Sequence, residues 1–201
     1  GVQEEISQGA GRIAGNLGLD NLIMFYDAND IQLSTRTEVV TCEDTAKKHE
    51  AWGWYVQKID GNDVDQIREA IKKAQAETER PSLIIGHCIM GKGARKADGS
   101  SYESNCATHG APLGGDNFVQ TMKNLGADPE NPFQIFPEVQ ELYAKRAQEL
   151  RQICDQRYAE KAEWAKGHPV QAKQLEEWFS GKAPVIDWSK VEQKAGSATR
   201  S

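Results

Sequence analysis

The loop after the first apolar segment carries side chains that suit a cation. Residues 21–27 form an apolar run, and Asp-Ala-Asn-Asp-Ile-Gln follows at 27–32. The amide oxygen of Asn29 and a backbone carbonyl such as that of Ile31 are hard ligands of the kind that Mg²⁺ prefers, with substrate phosphates and water completing its shell. Asn and Asp are also frequent in loops because their side chains stabilise turns. The pattern therefore indicates either a metal site or an ordinary turn.

A glycine- and proline-rich segment later in the chain presents one histidine. Residues 108–114 read Thr-His-Gly-Ala-Pro-Leu-Gly, so His109 lies on a stiffened loop backbone. A neutral imidazole beside a phosphate or a developing oxyanion is a common catalytic device, but a lone loop histidine is more often a solvated side chain. The other histidines have structural interpretations: His49 on a helix surface, His87 at a strand end and His168 as a cap between helices.

Two other groups have plainer explanations. Glu4 and Glu5 begin the first predicted helix, where the positive end of the helix dipole favours acidic residues. The stretch Gly91-Lys92-Gly93 is glycine-rich like a phosphate-binding loop, but it lacks the full spacing of Gly-x-x-x-x-Gly-Lys-Ser/Thr.

Helix and strand patterns alternate over the first half of the chain and position these loops. Strands are predicted at 21–27, which reads as fully buried, 54–60 and 81–87, and helices at 6–17, 45–52 and from Asp63 onwards. This order predicts an α/β fold with a parallel sheet flanked by helices and joined by right-handed crossovers. Ligands of such sheets bind beyond the carboxyl ends of the strands. The glycines and alanines of the first helix indicate close approach of another backbone.

The second half of the chain changes character. Residues 91–115 form a long loop without usable periodicity, and such loops are usually functional or mobile. Pro137 opens a long charged helix over about 138–166, and Pro169 opens a second one. We expect one domain over 1–180 and a linker over 181–201.

Composition excludes several classes of protein. The 201 residues carry a net charge of -6, so no basic surface directs the chain to nucleic acid. The longest apolar runs are far shorter than the roughly 20 residues that span a bilayer. The four cysteines have no C-x-x-C spacing, which indicates neither a zinc ribbon nor a disulfide framework and favours a reducing cytoplasm.

Taken together, several segments resemble the transketolase family in order and spacing, specifically its diphosphate-binding domain, over about residues 1–190. The His-Gly-Ala-Pro-Leu-Gly element is the most specific of them. The segments are Glu4-Glu-Ile-Ser7, Leu17-Gly-Leu-Asp-Asn-Leu-Ile23, Tyr26-Asp-Ala-Asn-Asp-Ile31, Asp44-Thr-Ala-Lys47, Trp52-Gly-Trp54, Ile59-Asp-Gly61, Pro81-Ser-Leu83 and Thr108-His-Gly-Ala-Pro-Leu-Gly114.

The resemblance implies an enzyme that moves a two-carbon ketol unit between sugar phosphates in the pentose phosphate pathway. It implies thiamine diphosphate, a divalent cation (Mg²⁺, or Ca²⁺ or Mn²⁺ in its place) and a homodimer. Asn29 and the carbonyl oxygen of Ile31 match the end of the family's metal motif. His109 matches the histidine that contacts cofactor and substrate. Glu4 matches a glutamate linking the two active sites of the dimer, and the first helix would pack at that subunit interface.

Three further positions match residues that have a role in the family. Leu33, and less closely Met90, falls where an aliphatic side chain packs against the cofactor. Arg200 resembles the arginine that grips the sugar phosphate, a role that suits the bidentate guanidinium.

The sequence also departs from the family pattern. Gly9 stands where the family has a second glutamate of the acidic cluster that links the two active sites. Glu5 stands where the family has a glycine, and Asp30 follows Asn29 in place of the commoner Gly or Lys. The aspartate of the metal motif would lie two residues before Gly1, so we expect an excerpt that holds half a site and is inactive alone. A linker would lead to a missing pyrimidine-binding domain.

Other functions stay open at this point. A related thiamine diphosphate enzyme, of the deoxyxylulose phosphate synthase or dihydroxyacetone synthase type, is the nearest alternative. A non-catalytic regulatory relative would keep the fold without the chemistry. A generic nucleotide-binding module is disfavoured by the segment at 108–114.

Overall fold

The computed structural model describes residues 1–183, 185–192 and 196, and the chain divides into two compact units, 1–134 and 135–201. The first unit holds a parallel sheet with strands β1 (Ile23–Ala28), β2 (Tyr55–Asp60) and β3 (Ser82–His87), in the order β1-β3-β2. Ser82 pairs with Ile23 on one side and with Tyr55 on the other, so all three strands end at the same edge. The predicted parallel α/β fold is confirmed.

The central strand explains where the core lies. Leu83 and Ile84 are fully buried and point to opposite faces of the sheet, as successive strand residues do. Helix α1 (Glu5–Asn16) packs on the Leu83 face through Ala14. Helix α2 (Thr45–Ala51) contacts β2 and α1, while helix α3 (Val64–Ala76) covers the Ile84 face through two alanines.

The small residues of α1 allow the close approach that the sequence predicted. A Cβ at Gly15 would overlap the carbonyl oxygen of Trp52, and one at Gly11 would lie 3.0 Å from the Trp52 ring. The buried Trp54 indole donates a hydrogen bond to the Gly11 carbonyl at 2.8 Å. The backbone that approaches α1 is therefore the 52–54 segment of the same chain.

Two burial predictions were wrong. The 21–27 segment was expected to be fully buried, but β1 is an edge strand of the described sheet, and Ile23 and Phe25 remain about 40% exposed (36% and 42%). His49 was expected on a helix surface, yet only 3% of it is exposed. It is buried because its ring packs 4.8 Å from the Trp52 ring and 5.4 Å from the Trp54 ring.

The 91–115 region has more order than its lack of periodicity indicated. Arg95 and Ser101 form an antiparallel bridge, and a four-residue helix, α4 (Ala107–Gly110), follows. The next helix, α5 (Gly115–Asn124), was not predicted. Its Thr121 hydroxyl accepts a bond from the Arg95 N–H at 2.9 Å, so tertiary contacts with the preceding loop stabilise it.

The second unit contains the two predicted helices, α6 (Pro137–Gly167) and α7 (Pro169–Phe179). Each begins with a proline, whose missing N–H costs nothing in a first helical turn. His168 ends α6 and precedes α7, as predicted, and stacks on Trp164 at a ring distance of 5.2 Å. No helix among the described residues has the length and apolar character needed to cross a membrane.

Candidate functional site

A cavity of about 470 Å³ lies beyond the carboxyl end of β1. The N-terminal segment, the loop that follows β1 and the α4 segment form its walls. It brings together five of the residues singled out in the sequence: Glu4, Asn29, Ile31, Leu33 and His109. The structure therefore places residues that are up to 105 positions apart in sequence around one space.

Hydrogen bonds within the loop hold Asn29 in one orientation. Its Oδ1 accepts a bond from the Ile31 N–H at 3.0 Å, and its Nδ2 donates to Asp27 Oδ1 at 3.1 Å. Asp30, which lies between Asn29 and Ile31 in the sequence, has a φ of 62°. This is the left-handed region, which residues other than Gly, Asn and Asp seldom adopt. The turn interpretation is thus correct, and the same turn orients the amide oxygen.

The oxygens of this turn fit a hard cation. An amide oxygen has two lone pairs, so Asn29 Oδ1 can bind a cation while it accepts the Ile31 N–H. Within the described residues no donor bonds to the Ile31 carbonyl oxygen. The same residues contain no group of three or more His, Cys, Asp or Glu that could hold a metal. Phosphate and water oxygens would therefore have to complete the coordination, as is usual for Mg²⁺.

The charge around the cavity also favours a cation. Burial raises the pKa of the Tyr26 hydroxyl, and the negative charges of Asp30 and Asp27 raise it further. Tyr26, Asp27 and Asp30 all line the cavity. This negative potential favours a cation over an anion in the cavity.

The first residues of the chain form the opposite wall. Gln32 Nε2 donates to Gln3 Oε1 at 3.0 Å, which joins this wall to the loop after β1. Glu4 is the N-cap of α1, yet its side chain makes no capping hydrogen bond, and it is exposed. Its carboxylate is therefore available for a partner, although the helix dipole alone also accounts for an acidic residue there.

His109 reaches the cavity from α4. The residue is exposed, and the neighbouring Gly110 lies against Leu33, since a Cβ at Gly110 would be 3.0 Å from Leu33 Cδ2. Leu33 is itself 72% exposed and lines the cavity. An apolar side chain and an imidazole thus face the same open space.

The remaining predicted positions lie elsewhere. Met90 is half-buried outside this cavity, and its carbonyl accepts a bond from Ser104 N–H at 2.8 Å. Arg200 lies outside the described residues. In the glycine-rich stretch at 91–93, the Gly93 N–H donates to the Glu103 carboxylate at 2.7 Å, so this amide is used within the protein.

One lining residue carried no signal in the sequence. Thr37 lines this cavity and a neighbouring one of about 430 Å³, and Tyr26 and Asp30 line both as well. The Thr37 Oγ1 atom is buried and has no hydrogen-bond partner in the described part of the chain. A threonine in a polar loop matches no motif, so only the structure reveals this hydroxyl.

Comparison with known proteins gives a consistent result. The family model described as "Transketolase, thiamine diphosphate binding domain" matches residues 1–184. Transketolase 2 of Escherichia coli K12 is 37% identical over 195 residues, covering 96% of this chain and 28% of that protein. Transketolase of Mycobacterium tuberculosis H37Rv is 33% identical over 184 residues, covering 91% of this chain and 26% of that protein.

Solved structures agree. Transketolase of Pichia stipitis in complex with sedoheptulose 7-phosphate superposes with a TM-score of 0.81 at 30% identity, covering 94% of this chain and 27% of that one. Transketolase of Leishmania mexicana superposes with a TM-score of 0.84 at 22% identity, covering 96% of this chain and 28% of that one, and at this identity it shows the fold alone.

The parallel sheet and the cavity at its carboxyl edge define a cofactor-binding α/β unit. The chain belongs to the transketolase family, as its N-terminal, thiamine diphosphate-binding domain. The family resemblance seen in the sequence is confirmed. The chain spans just over a quarter of the length of the curated relatives it matches.

Proposed function

We propose that the full-length protein carrying this chain is a transketolase that moves a two-carbon ketol unit between a ketose phosphate and an aldose phosphate. The observation that supports this most is the single cavity lined by Glu4, Asn29, Ile31, Leu33 and His109. These are the positions matching the family's cofactor residues. They surround a space whose wall carries hard oxygen ligands on one side and an imidazole on the other.

In this proposal Asn29 Oδ1 and the Ile31 carbonyl oxygen would hold Mg²⁺, or Ca²⁺ or Mn²⁺ in its place, and the cation would supply the positive charge that neutralises a bound diphosphate. The bond between Asn29 and Ile31 N–H keeps both ligand-bearing residues in one turn. Thiamine diphosphate, when bound, supplies the carbon centre on which the carbon–carbon bond of the ketose is made and broken. Leu33 gives this space an apolar surface on which a ring can pack.

In this arrangement His109 is the residue that donates and accepts protons. An exposed imidazole that lines the cavity can donate a proton to, or accept one from, the hydroxyl and carbonyl oxygens of a sugar bound there. A positioned general acid or base typically contributes about 10²–10⁴-fold in rate. Arg200, outside the described residues, is proposed to bind the sugar phosphate.

The wider assembly is part of the same proposal. We infer a cytoplasmic homodimer in which Glu4 and α1 lie near the subunit interface. The 1–180 segment would act as the diphosphate-binding domain and the 181–201 segment as a linker to a pyrimidine-binding domain. The isolated chain would then hold half a site and have no turnover.

The test is ketol transfer from xylulose 5-phosphate to ribose 5-phosphate by the full-length protein, with and without thiamine diphosphate and Mg²⁺. The isolated 201-residue chain serves as the parallel sample. We expect sedoheptulose 7-phosphate from the full-length protein only when both cofactors are present, and none from the isolated chain. Cofactor binding with a different product would identify a related synthase, and binding with no product would identify a regulatory relative.

A further inference from the structure

The helix that carries His109 is too short to hold its own position. Helix α4 has four residues, and its N-cap residue, Cys106, makes no side-chain capping hydrogen bond. A single helical turn is unstable alone, since nucleation fixes several residues in return for one hydrogen bond. The position of His109 therefore depends on what α4 packs against.

Thr108, next to His109, makes one of these contacts. A Cβ at Gly91 would lie 3.0 Å from Thr108 Oγ1, 3.2 Å from its Cβ and 3.6 Å from its Cγ2. The Gly91 backbone has a φ of 62°, which a residue with a side chain rarely adopts. Gly91 thus leaves a flat surface of bare backbone, and the half-buried Thr108 side chain occupies it.

The Thr108 hydroxyl also closes the turn from within. Its Oγ1 donates to the Asn105 carbonyl at 2.7 Å, while the Asn105 side chain accepts from the Ala107 N–H at 2.9 Å. The Ser104 N–H donates to the Met90 carbonyl at 2.8 Å, which ties the start of this turn to the residue before Gly91. The side chain of Thr108 is therefore held on two sides at once.

On its other side α4 meets the cavity wall, where Gly110 lies against Leu33. His109 is between these two anchoring contacts, one made by Thr108 and one by Gly110. Only the Gly110 contact involves a side chain expected to touch the cofactor. The Thr108 contact is made on the other side of α4, against residues 90–91. Thr108 does not line the cavity.

We propose that Thr108 is a positioning residue, whose contact with Gly91 and bond to Asn105 place the His109 imidazole at the cavity. The proposal rests on the function proposed above, and it assigns Thr108 no contact with substrate or cofactor. A displacement of about 1 Å in a catalytic group can cost about 10²-fold in rate. Loss of this packing should therefore affect turnover more than binding.

The test compares Thr108→Ala and Thr108→Ser in the full-length protein. Thr108→Ala removes both the packing on Gly91 and the hydroxyl, and we expect it to lower kcat about tenfold or more with little change in cofactor affinity. Thr108→Ser keeps the bond to Asn105 and should recover most of that loss. Ser100→Ala, an exposed residue beside the Arg95–Ser101 bridge, is the matched control and should leave kcat unchanged.

A double-mutant cycle decides whether Thr108 acts through His109. In a His109→Ala background, Thr108→Ala should cause no further loss of kcat. An equal loss of kcat in both backgrounds, or no loss with the single variant, would overturn the proposal.

An independent measurement does not need activity. The ¹³Cε1 signal of His109, assigned by its disappearance in His109→Ala, should move towards the position of an unstructured histidine in Thr108→Ala but not in Thr108→Ser. An unchanged signal in Thr108→Ala would refute the positioning role even if the wild-type protein transferred no ketol group. A wild-type protein without ketol transfer, but with this shift, would refute only the proposed function.

Discussion

We expect Gly15→Ala to destabilise the first unit and Gly9→Ala to stabilise it, although both change a glycine of α1 to alanine. Both substitutions gain about 0.5–1 kcal/mol from helix propensity, because alanine loses less backbone entropy than glycine. At Gly9 a Cβ would meet no atom of residues 1–183, 185–192 or 196 within 4 Å. The free energy of unfolding should therefore rise by about that amount in Gly9→Ala.

At Gly15 the surroundings decide the outcome. The new Cβ would overlap the Trp52 carbonyl oxygen and would lie 3.2 Å from Cδ1 of the Trp54 ring. Backbone atoms cannot rotate away as a flexible side chain can, so α1 must move. Overpacking of this kind typically costs about 1–3 kcal/mol. A shift of α1 would also strain the Trp54–Gly11 hydrogen bond, which contributes about 1 kcal/mol. The net loss should be about 1–3 kcal/mol after the propensity gain.

The assay is urea unfolding of the wild type and both variants, followed by tryptophan fluorescence, with amide hydrogen exchange of residues 5–16 as the local measurement. If the urea midpoint changes but the dependence of the unfolding free energy on urea concentration does not, the substitution has changed stability alone, and the free energies of the variants can be compared. Opposite shifts of the urea midpoint are expected. Shifts of the same sign in both variants would refute the close approach of α1 to the 52–54 segment.

Three further predictions concern other groups of the first unit. Burial lowers the pKa of His49 from its ordinary value of about 6.5. At a pH near or below 6.5 the unfolded chain therefore binds more protons than the folded chain, and the free energy of unfolding should fall as the pH is lowered through that value. The urea midpoint at pH 7.5 and 5.5 measures this, and His49→Phe should reduce the dependence. Gly61→Ala should cost about 1–3 kcal/mol, because its Cβ would lie 2.9 Å from the backbone carbonyl carbon of Gly86, which cannot rotate away; an unchanged midpoint would contradict that contact. Burial and neighbouring carboxylates raise the pKa of Cys88 to about 11, so iodoacetamide at pH 8 should modify the exposed Cys42 well before it, as peptide mass spectrometry can show.

Much of the fold could be predicted from local sequence patterns. Asp63 was predicted to begin a helix, and its carboxylate accepts bonds from the N–H groups of Asp65 and Gln66 at 2.9 and 3.1 Å. The 81–87 segment has apolar residues at successive positions, which is typical of a strand covered on both faces, and β3 is such a strand. These features depend on a few neighbouring residues, so a single sequence is enough to predict them.

Features set by tertiary contacts could not be predicted in the same way. The β1 segment is as apolar as a buried strand, and its exposure follows only from its place at the edge of the described sheet. His49 looks like a surface residue until Trp52 and Trp54 pack against its ring. Helix α5 is short and depends on contacts with the loop before it.

The candidate site was predictable in its residues but not in its geometry. The order and spacing of family motifs selected Asn29, Ile31, Leu33 and His109. Neither the anchoring of α4 on Gly91 nor the buried Thr37 hydroxyl has a sequence signature, because both depend on loops that meet only after folding.

The central claim is that the cavity at the end of β1 binds thiamine diphosphate through a divalent cation held by Asn29. Isothermal titration of the full-length protein with thiamine diphosphate, with and without Mg²⁺, tests it most directly. We expect binding that requires Mg²⁺ and a loss of affinity of at least about 10-fold in Asn29→Ala, because even the loss of an outer-shell partner costs a metal site about 10–100-fold. The loss should be smaller in Asn29→Asp, which keeps an oxygen ligand. Equal affinity in the wild type and Asn29→Ala, or binding that ignores Mg²⁺, would contradict the account.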